Sequence, residues 1–204
     1  IGPEIIAKKC EEYNSRLVHI STDSIFDGQK GMYDENDVPN PKNIYAKTKL
    51  EGEKKVTKEC SNSVIVRTNF YGIDNSRKYL FNNMLEKLKQ KQDIIGFDDV
   101  HFTPLSVENL SQQITDVTFS NYNGIIHLGS DKKISKYEFC KIMAQKLGFG
   151  ENYVKQGSID NLSFIAERPK NTSLNNEVSK SIVKHKSIEF EDWLENDYDR
   201  DQLL

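Results

Sequence analysis

Three short apolar runs, separated by longer stretches with helical spacing, constrain the fold of this chain more than any other feature. The runs cover residues 16–22, 63–69 and 124–129 and are rich in valine, isoleucine and leucine. Continuous apolar runs of this length, bounded by polar turn residues, are typical of strands buried in a parallel sheet. Because helical stretches alternate with these strands, the sequence predicts an α/β fold with a parallel sheet.

Caps and chain breakers mark the elements between the runs. Pro3 favours a helix start close to the beginning of the sequence. Ser135 and Glu138 have the spacing of a capping box, and Gly148 stands where the helix that they open should end. The stretch 23–43 carries glycines and prolines among polar residues, which indicates a long loop. Long loops inside compact domains often carry function, so this loop is a candidate part of a site.

Composition argues against several functional classes. The 204 residues carry a formal net charge of −3, and no cluster of lysine and arginine combines with aromatic residues into a nucleic-acid-binding face. The apolar runs are far shorter than the roughly 20 residues that cross a bilayer, so no membrane partner is expected. Cys10, Cys60 and Cys140 lie far apart without a CxxC pattern, which argues against a disulfide framework or a metal site and fits a reducing cytoplasm.

The first chemical signal is Tyr45, followed four residues later by Lys49. On a helix this spacing places both side chains on one face, about 6 Å apart along the axis. An ammonium near a phenol stabilises the phenolate, which makes the hydroxyl a usable proton donor near neutral pH. Taken alone, the pair is more typical of an exposed tyrosine and lysine on a solvated helix, so an active centre needs further support.

Ser21-Thr22-Asp23 supplies part of that support. These residues end the first predicted strand, and ligands of open α/β sheets bind beyond the carboxyl ends of the strands. A hydroxyl at this point can donate a hydrogen bond to a substrate carbonyl beside the tyrosine. A turn held by its own side chains is the alternative interpretation of the same residues. The ordered set of strand, Ser-Thr-Asp, loop and Tyr-x-x-x-Lys helix is more specific than either motif alone.

Six separated blocks extend this pattern over nearly the whole chain: "LVHISTDSIFDG", "YDENDVPNPKNIYAKTKLEGEK", "VRTNFYG", "FTPLSVENLSQQI", "IIHLGSDKKISKYEFCKIMAQKLG" and "ERPKNTSLN". In order and spacing they resemble the dTDP-4-dehydrorhamnose reductases, which are extended short-chain dehydrogenases. The resemblance implies a Rossmann-type parallel sheet with a small C-terminal substrate-binding lobe. It also implies reduction of the 4-keto group of a nucleotide-linked deoxysugar by NADPH or NADH, in the biosynthesis of nucleotide sugars such as dTDP-rhamnose.

The resemblance implies a role for each matching residue. Tyr45 would be the proton donor, Lys49 the partner of both the tyrosine and the nicotinamide ribose, and Thr22 the hydroxyl that orients the carbonyl. The implied cofactor contacts are Ser21, Asp23, Tyr45, Lys49, Asn69 and Phe70. The implied substrate contacts are Thr22, Ser24, Phe26 and Arg168. Relatives usually carry an aromatic residue where this chain has Ser24, so the substrate pocket is expected to differ there.

Two arginines each keep two interpretations. Arg67 either lies on the cofactor side of its strand as a contact, or is a buried arginine satisfied by carboxylates. Arg168 either binds a nucleotide diphosphate bidentately or is a structural arginine before Pro169.

One part of the family pattern is absent from the sequence. The family begins with a strand and a GxxGxxG turn whose backbone N–H groups hold the cofactor pyrophosphate, and the glycines here do not form that pattern. We therefore expect an N-terminally truncated Rossmann domain of residues 1–72 and 107–130, with residues 73–106 and 131–204 forming the substrate-binding lobe. The 204-residue chain alone is expected to be inactive, and to form a homo-oligomer or pair with the missing N-terminal segment.

Two other functional classes remain open on the sequence alone. A non-catalytic relative, such as the β subunit of methionine adenosyltransferase, would use the same fold as a regulatory subunit. An epimerase or dehydratase of UDP-sugars is the other class, although the block "ERPKNTSLN" favours a reductase. Measuring turnover and identifying the product distinguishes a reductase from a regulatory subunit and from an epimerase or dehydratase.

Overall fold

A computed structural model describes residues 2–73, 80–162, 165–196 and 198. Its α-helices are α1 (Gly2–Glu12), α2 (Ile44–Glu59), α3 (Leu80–Lys89), α4 (Val107–Phe119), α5 (Lys136–Lys146), α6 (Glu177–Lys180) and α7 (Phe190–Asn196). Its strands are β1 (Leu17–Ile20), β2 (Ser63–Thr68), β3 (Phe70–Tyr71), β4 (Ile94–Phe97), β5 (His101–Phe102), β6 (Leu105–Ser106), β7 (Gly124–Leu128), β8 (Ile134–Ser135) and β9 (Val154–Gly157). Short 3-10 turns lie at Asp23–Ile25, Glu151–Tyr153 and Ile159–Asn161.

The three apolar runs form one parallel sheet in the order β1-β2-β7. All six residues of the central strand β2 are buried. A central strand covered on both faces needs apolar residues at every position, which is why these runs do not alternate with polar residues. The predicted α/β fold with a parallel sheet is confirmed.

Helices cover both faces of this sheet because successive side chains of a strand point in opposite directions. Ile65 packs on one face with Ala7 of α1 and Val56 of α2. Val64 and Val66 pack on the other face, in a cluster that α4 and β7 complete. Complete burial of an aliphatic side chain of this size contributes roughly 1.5–3 kcal/mol, so this central strand is a large part of what holds the domain together.

Local capping fixes the starts of the helices that flank the sheet. The Asn43 side chain caps α2, and the Ser106 hydroxyl accepts from a backbone N–H in the first turn of α4. The capping box of α5 is complete: the Ser135 hydroxyl accepts from the Glu138 N–H at 3.0 Å, and the Glu138 carboxylate accepts from the Ser135 N–H at 2.6 Å. Gly148 has a φ of 77°, the left-handed conformation expected just after a helix end. The predicted boundaries of α5 are therefore confirmed.

A second core, rich in aromatic residues, is formed by side chains between Tyr71 and Tyr198. Phe139 of α5 stacks on Phe190 of α7 with ring centroids 3.8 Å apart, and Tyr71 meets both rings edge-on. Phe81 and Trp193 extend the same cluster. The parallel strands β4 and β9 lie beside it, and α5 packs against both. This core is separate from the one around β2.

Candidate active site

A cavity of about 850 Å³ opens beyond the carboxyl ends of β1 and β2. Ser24 and Asn69, which follow these two strands, line it on one side together with Tyr45 of α2. His101 and Arg168, from later segments of the chain, also line it. The cavity therefore lies where open α/β sheets bind their ligands.

Tyr45 and Lys49 occupy adjacent turns of α2 at the edge of this cavity. Tyr45 lines the cavity and is 58% exposed. The Lys49 ammonium donates a hydrogen bond of 2.7 Å to the carbonyl oxygen of Ile20, the last residue of β1. This bond fixes the lysine head beside the end of the strand. An ammonium has three N–H donors, so donors remain for a ligand after this one is used.

Asp23 is the hydrogen-bonding centre of the loop that follows β1. Its buried carboxylate accepts from Thr172 Oγ1 at 2.6 Å and from Asn69 Nδ2 at 2.9 Å. The hydroxyls of Thr22 and Ser24 donate to its other oxygen, each at 3.2 Å. Burial raises the pKa of the Asp23 carboxyl, and the bonds from Thr172 and Asn69 oppose that rise. Asp23 thereby orients side chains from three separate segments around the floor of the site.

The segment around Thr172 is docked onto the loop after β1 by backbone contacts. The Asn171 N–H donates to the Gly28 carbonyl at 3.2 Å, and the Tyr33 N–H donates to the Ser173 carbonyl at 2.9 Å. Gly28 has a φ of 79°, and a Cβ there would lie 2.6 Å from the backbone nitrogen of Lys170. Glycine is therefore required at this position both for conformation and for close approach.

A buried ion pair lies under the site rather than in it. Arg67 Nη2 is 2.8 Å from Glu53 Oε2, and the Ser21 hydroxyl donates to the same carboxylate. Arg67 thus has the buried, carboxylate-satisfied environment that was one of its two interpretations. Phe26 is fully buried, stacked on Tyr33 at 4.1 Å and 5.4 Å from the Arg67 guanidinium. Ser21 and Phe26 therefore face internal partners instead of the cavity.

The structure brings together only part of the set of site residues expected from the sequence. Those that line the cavity are Ser24, Tyr45, Asn69 and Arg168. Thr22, Asp23 and Lys49 lie next to it through the hydrogen bonds described above. Outside its wall lie Ser21, Phe26 and the half-exposed Phe70.

Lys136 and Thr172 are among the cavity residues that sequence reasoning missed. Thr172 lies within the block "ERPKNTSLN", and its link to Asp23 explains why that block accompanies Ser-Thr-Asp. Lys136 carried a local signal, because a lysine in the first turn of a helix opposes the helix dipole. His101 comes just before Thr103-Pro104, in a segment that the sequence indicates at the cleft without a catalytic role; it lines the cavity, on the strand β5 that pairs with β8.

Cations dominate the charged part of the cavity wall. Among the described residues the basic side chains are Lys42, Lys47, Lys136 and Arg168, and Glu167 is the acidic one. A wall with this balance attracts an anionic ligand. Within the same described ranges, no group of three or more His, Cys, Asp and Glu side chains could hold a metal ion. No helix described here is long and apolar enough to span a membrane.

Comparison with known protein families shows the family of this chain. The profile of the RmlD substrate binding domain matches residues 1–202. The chain belongs to this family. Its parallel sheet is of the Rossmann type, as in solved reductases of this kind. The structure of the dTDP-4-dehydrorhamnose reductase of Bacillus anthracis in complex with NADP superposes on it with a TM-score of 0.87 at 26% identity. That match covers 95% of this chain and 69% of the other.

Two curated relatives of the RmlD-family chain point to different functions. The dTDP-4-keto-6-deoxy-D-glucose reductase of Streptomyces niveus is 30% identical over 179 residues, covering 85% of this chain and 60% of the relative. Methionine adenosyltransferase 2 subunit beta of Danio rerio is 25% identical over 172 residues, covering 80% of this chain and 53% of the relative. The chain therefore spans about half to three fifths of the length of these relatives.

Proposed function

We propose that this protein is an NADPH- or NADH-dependent reductase of the 4-keto group of a nucleotide-linked deoxysugar. The observation that carries the proposal is the position of Tyr45 on the wall of an 850 Å³ cavity, with the Lys49 ammonium fixed to the end of β1 one turn away. The names of the Streptomyces niveus relative and of the Bacillus anthracis structure support the reaction class.

The residues at the ends of β1 and β2 fit the nicotinamide side of a dinucleotide. Lys49 has donors left for ribose hydroxyls, Asn69 lines the cavity just after β2, and the half-exposed Phe70 follows it in sequence. When bound, the nicotinamide would supply the hydride for the carbonyl carbon. The sequence contains no GxxGxxG turn, so the proposal assigns no pyrophosphate contact to these 204 residues.

The chain's own residues would manage the proton and the position of the carbonyl. Tyr45 would donate its phenolic proton to the oxygen that becomes the alcohol, and the Lys49 ammonium would stabilise the phenolate left behind. The Thr22 hydroxyl, held by Asp23 at 3.2 Å, would orient the carbonyl oxygen once the substrate competes for its proton. Asp23 would act through Thr22 and Asn69 as a positioning residue.

The cavity suits a charged sugar nucleotide in size and in sign. About 850 Å³ lies within the range of small-molecule sites, and the basic side chains of its wall favour a diphosphate. We extend the proposal to the division of the chain: residues 1–72 and 107–130 would carry the cofactor side, and residues 73–106 and 131–204 the substrate side. Arg168 would contact the diphosphate from the substrate side.

Product analysis tests the proposal directly. The intact protein is incubated with NADPH and dTDP-4-keto-6-deoxy-D-glucose, and loss of reduced nicotinamide is followed together with the sugar product. We expect one equivalent of NADPH consumed for each 4-hydroxy sugar formed. An epimerase would leave the amount of reduced cofactor unchanged, and a dehydratase would form an unsaturated or keto product. No consumption with any 4-keto nucleotide sugar would overturn the proposal.

A regulatory subunit is the second candidate, because several relatives at 25–27% identity are named methionine adenosyltransferase 2 subunit beta. In that case the protein would bind a catalytic subunit and turn over no sugar. Co-sedimentation with a methionine adenosyltransferase catalytic subunit, measured beside the reductase assay, separates the two. Binding without turnover would favour the regulatory function.

A further inference from the structure

A lysine stands on the cavity wall at a position where its charge is costly. Lys136 is the first residue of α5, directly after the N-cap Ser135. The N-terminal end of a helix carries a partial positive charge, so a cation there is disfavoured. Burial lowers the pKa of Lys136 to about 8, although the nearby Asp23 carboxylate opposes that effect. Both the helix dipole and the loss of hydration therefore act against the charged form.

Little in the described structure compensates for this cost. The Lys136 ammonium lies 3.2 Å from the centroid of the Phe102 ring, which is a cation–π contact. It forms no hydrogen bond or ion pair with any residue of the ranges 2–73, 80–162, 165–196 and 198. Its three N–H donors therefore point to no protein acceptor in that part of the chain.

The charges around the ammonium indicate the sign of a ligand. Arg168 lines the same cavity and is close enough to lower the pKa of Lys136 further. Two cations that converge on one cavity repel each other, and an anion between them relieves the repulsion. Lys42 and Lys47 add positive charge to the same wall.

We propose that Lys136 binds an oxyanion of the substrate, either the diphosphate of a nucleotide sugar or a carboxylate carried by the sugar. The oxyanion supplies the acceptors that the ammonium lacks, and the start of α5 also favours an anion. A residue that breaks a local rule and is only partly compensated inside the fold is expected at a functional position. The inference rests on the proposed function for its choice of substrate class.

Matched variants isolate the Lys136 charge. Lys136→Met removes the charge and keeps an unbranched stem, and Lys136→Arg keeps the charge. Lys133→Met removes an exposed lysine that does not line the cavity, so it controls for net charge. Binding of thymidine 5′-diphosphate, thymidine and glucuronate to the intact protein is measured by calorimetry, which requires neither cofactor nor turnover.

We expect Lys136→Met to bind thymidine 5′-diphosphate or glucuronate about tenfold or more weakly than the wild type, because a charge-assisted hydrogen bond is lost. A loss of affinity for thymidine 5′-diphosphate identifies the diphosphate as the anion that Lys136 binds, and a loss of affinity for glucuronate identifies the carboxylate. Lys136→Arg should retain most of the affinity, Lys133→Met should retain all of it, and thymidine binding should not change in any variant.

Thermal unfolding of the same samples provides a second readout. Lys136→Met should unfold at a higher temperature than the wild type, because a cation at a helix N-terminus is removed. If it fails to fold, Lys136→Gln takes its place in the binding measurement. Anion affinities of the neutral variant equal to those of Lys133→Met would overturn the inference. An absence of reductase turnover would instead remove the proposed function and leave these binding results standing.

Discussion

Tyr45 is the residue on which the proposed chemistry depends. Removing its hydroxyl in Tyr45→Phe should lower turnover by about 10²–10⁴, the usual contribution of a general acid, while cofactor binding stays close to that of the wild type. Tyr13→Phe, which alters an exposed tyrosine just after α1, is the control. Turnover and NADPH affinity are measured on the intact protein. Wild-type turnover by Tyr45→Phe would contradict the assignment.

Lys49 should affect both cofactor affinity and rate, because one ammonium serves the ribose and the phenolate. Lys49→Met removes the donor that bonds Ile20 O at 2.7 Å, so we expect a raised Kd for NADPH together with a lowered kcat. Lys54→Met removes an exposed lysine of the same helix that pairs with Glu51, and it should change neither quantity. Equal losses in the two variants would show that α2 presents a different face to the site.

At the scale of residues, the sequence is most informative where a side chain's position depends on its neighbours in sequence. The placement of Tyr45 on the cavity wall follows from a helix that the sequence itself specifies. Ser21 and Phe26 turned out to have internal partners, Glu53 and Tyr33, which no local pattern reveals. A side chain at the end of a strand has a choice of neighbours, and tertiary packing decides between them.

At the scale of elements, the site depends on two loops that fit closely together. Gly31 has a φ of 70°, and a Cβ there would run into the Asn171 side chain. Gly148 has a similar φ of 77°, but a Cβ there would meet nothing within 4 Å. Both glycines therefore adopt a left-handed backbone conformation, but only at Gly31 would a side chain also collide with a neighbour.

Alanine at each glycine should separate the two effects. Gly148→Ala should lower the free energy of unfolding by about 1–2 kcal/mol, the cost of a left-handed alanine. Gly31→Ala should lower it by a further 1–3 kcal/mol or so, because it also overpacks the interface between the loops. Urea unfolding measures both. Equal losses would mean that the loop after β1 does not press on the segment around Asn171.

Element-scale prediction was strongest for long elements with their own start signals. Asn43, Ser106 and Ser135 cap their helices through bonds three residues along the chain, so the information is local. The two-residue strands β3, β5, β6 and β8 were not predicted. They exist because segments distant in sequence meet, as in the pairing of His101 with Ser135, and so short a strand has no period of its own.

For the whole molecule, a buried histidine makes stability depend on pH. His127 is fully buried on β7, and its Nδ1 donates to the Tyr33 carbonyl at 3.0 Å. Burial, and next the Arg67 charge, lower the pKa of His127 to about 4. Between roughly pH 6.5 and 4 the unfolded chain therefore binds a proton that the folded protein does not, so stability falls as the pH falls through this window.

The variant His127→Asn keeps a donor for Tyr33 O and removes the titrating ring. Between pH 7 and pH 5 the unfolding free energy of the wild type should fall by about 2 kcal/mol more than that of the variant, because only the wild type carries the titrating histidine. Urea titrations at the two pH values give the four free energies required. The same pH dependence in both proteins would mean that His127 is charged, or water-exposed, in the folded state.

The free edge of the sheet sets an expectation for the assembly of the molecule. Among the described strands, β1 pairs with β2 on one side and with none on the other, and Ile20 is 43% exposed. Unpaired N–H and C=O groups along an apolar strand are a template for another chain. We therefore expect the 204-residue chain, produced by itself, to associate as its concentration rises.

Ile20→Lys should reduce that association, because a charge on an edge strand opposes pairing. The control Phe119→Lys, at an exposed position on α4, should leave the association unchanged. Sedimentation velocity over a concentration series measures both, and a wild-type chain that stays monomeric throughout would show that its edge is already protected.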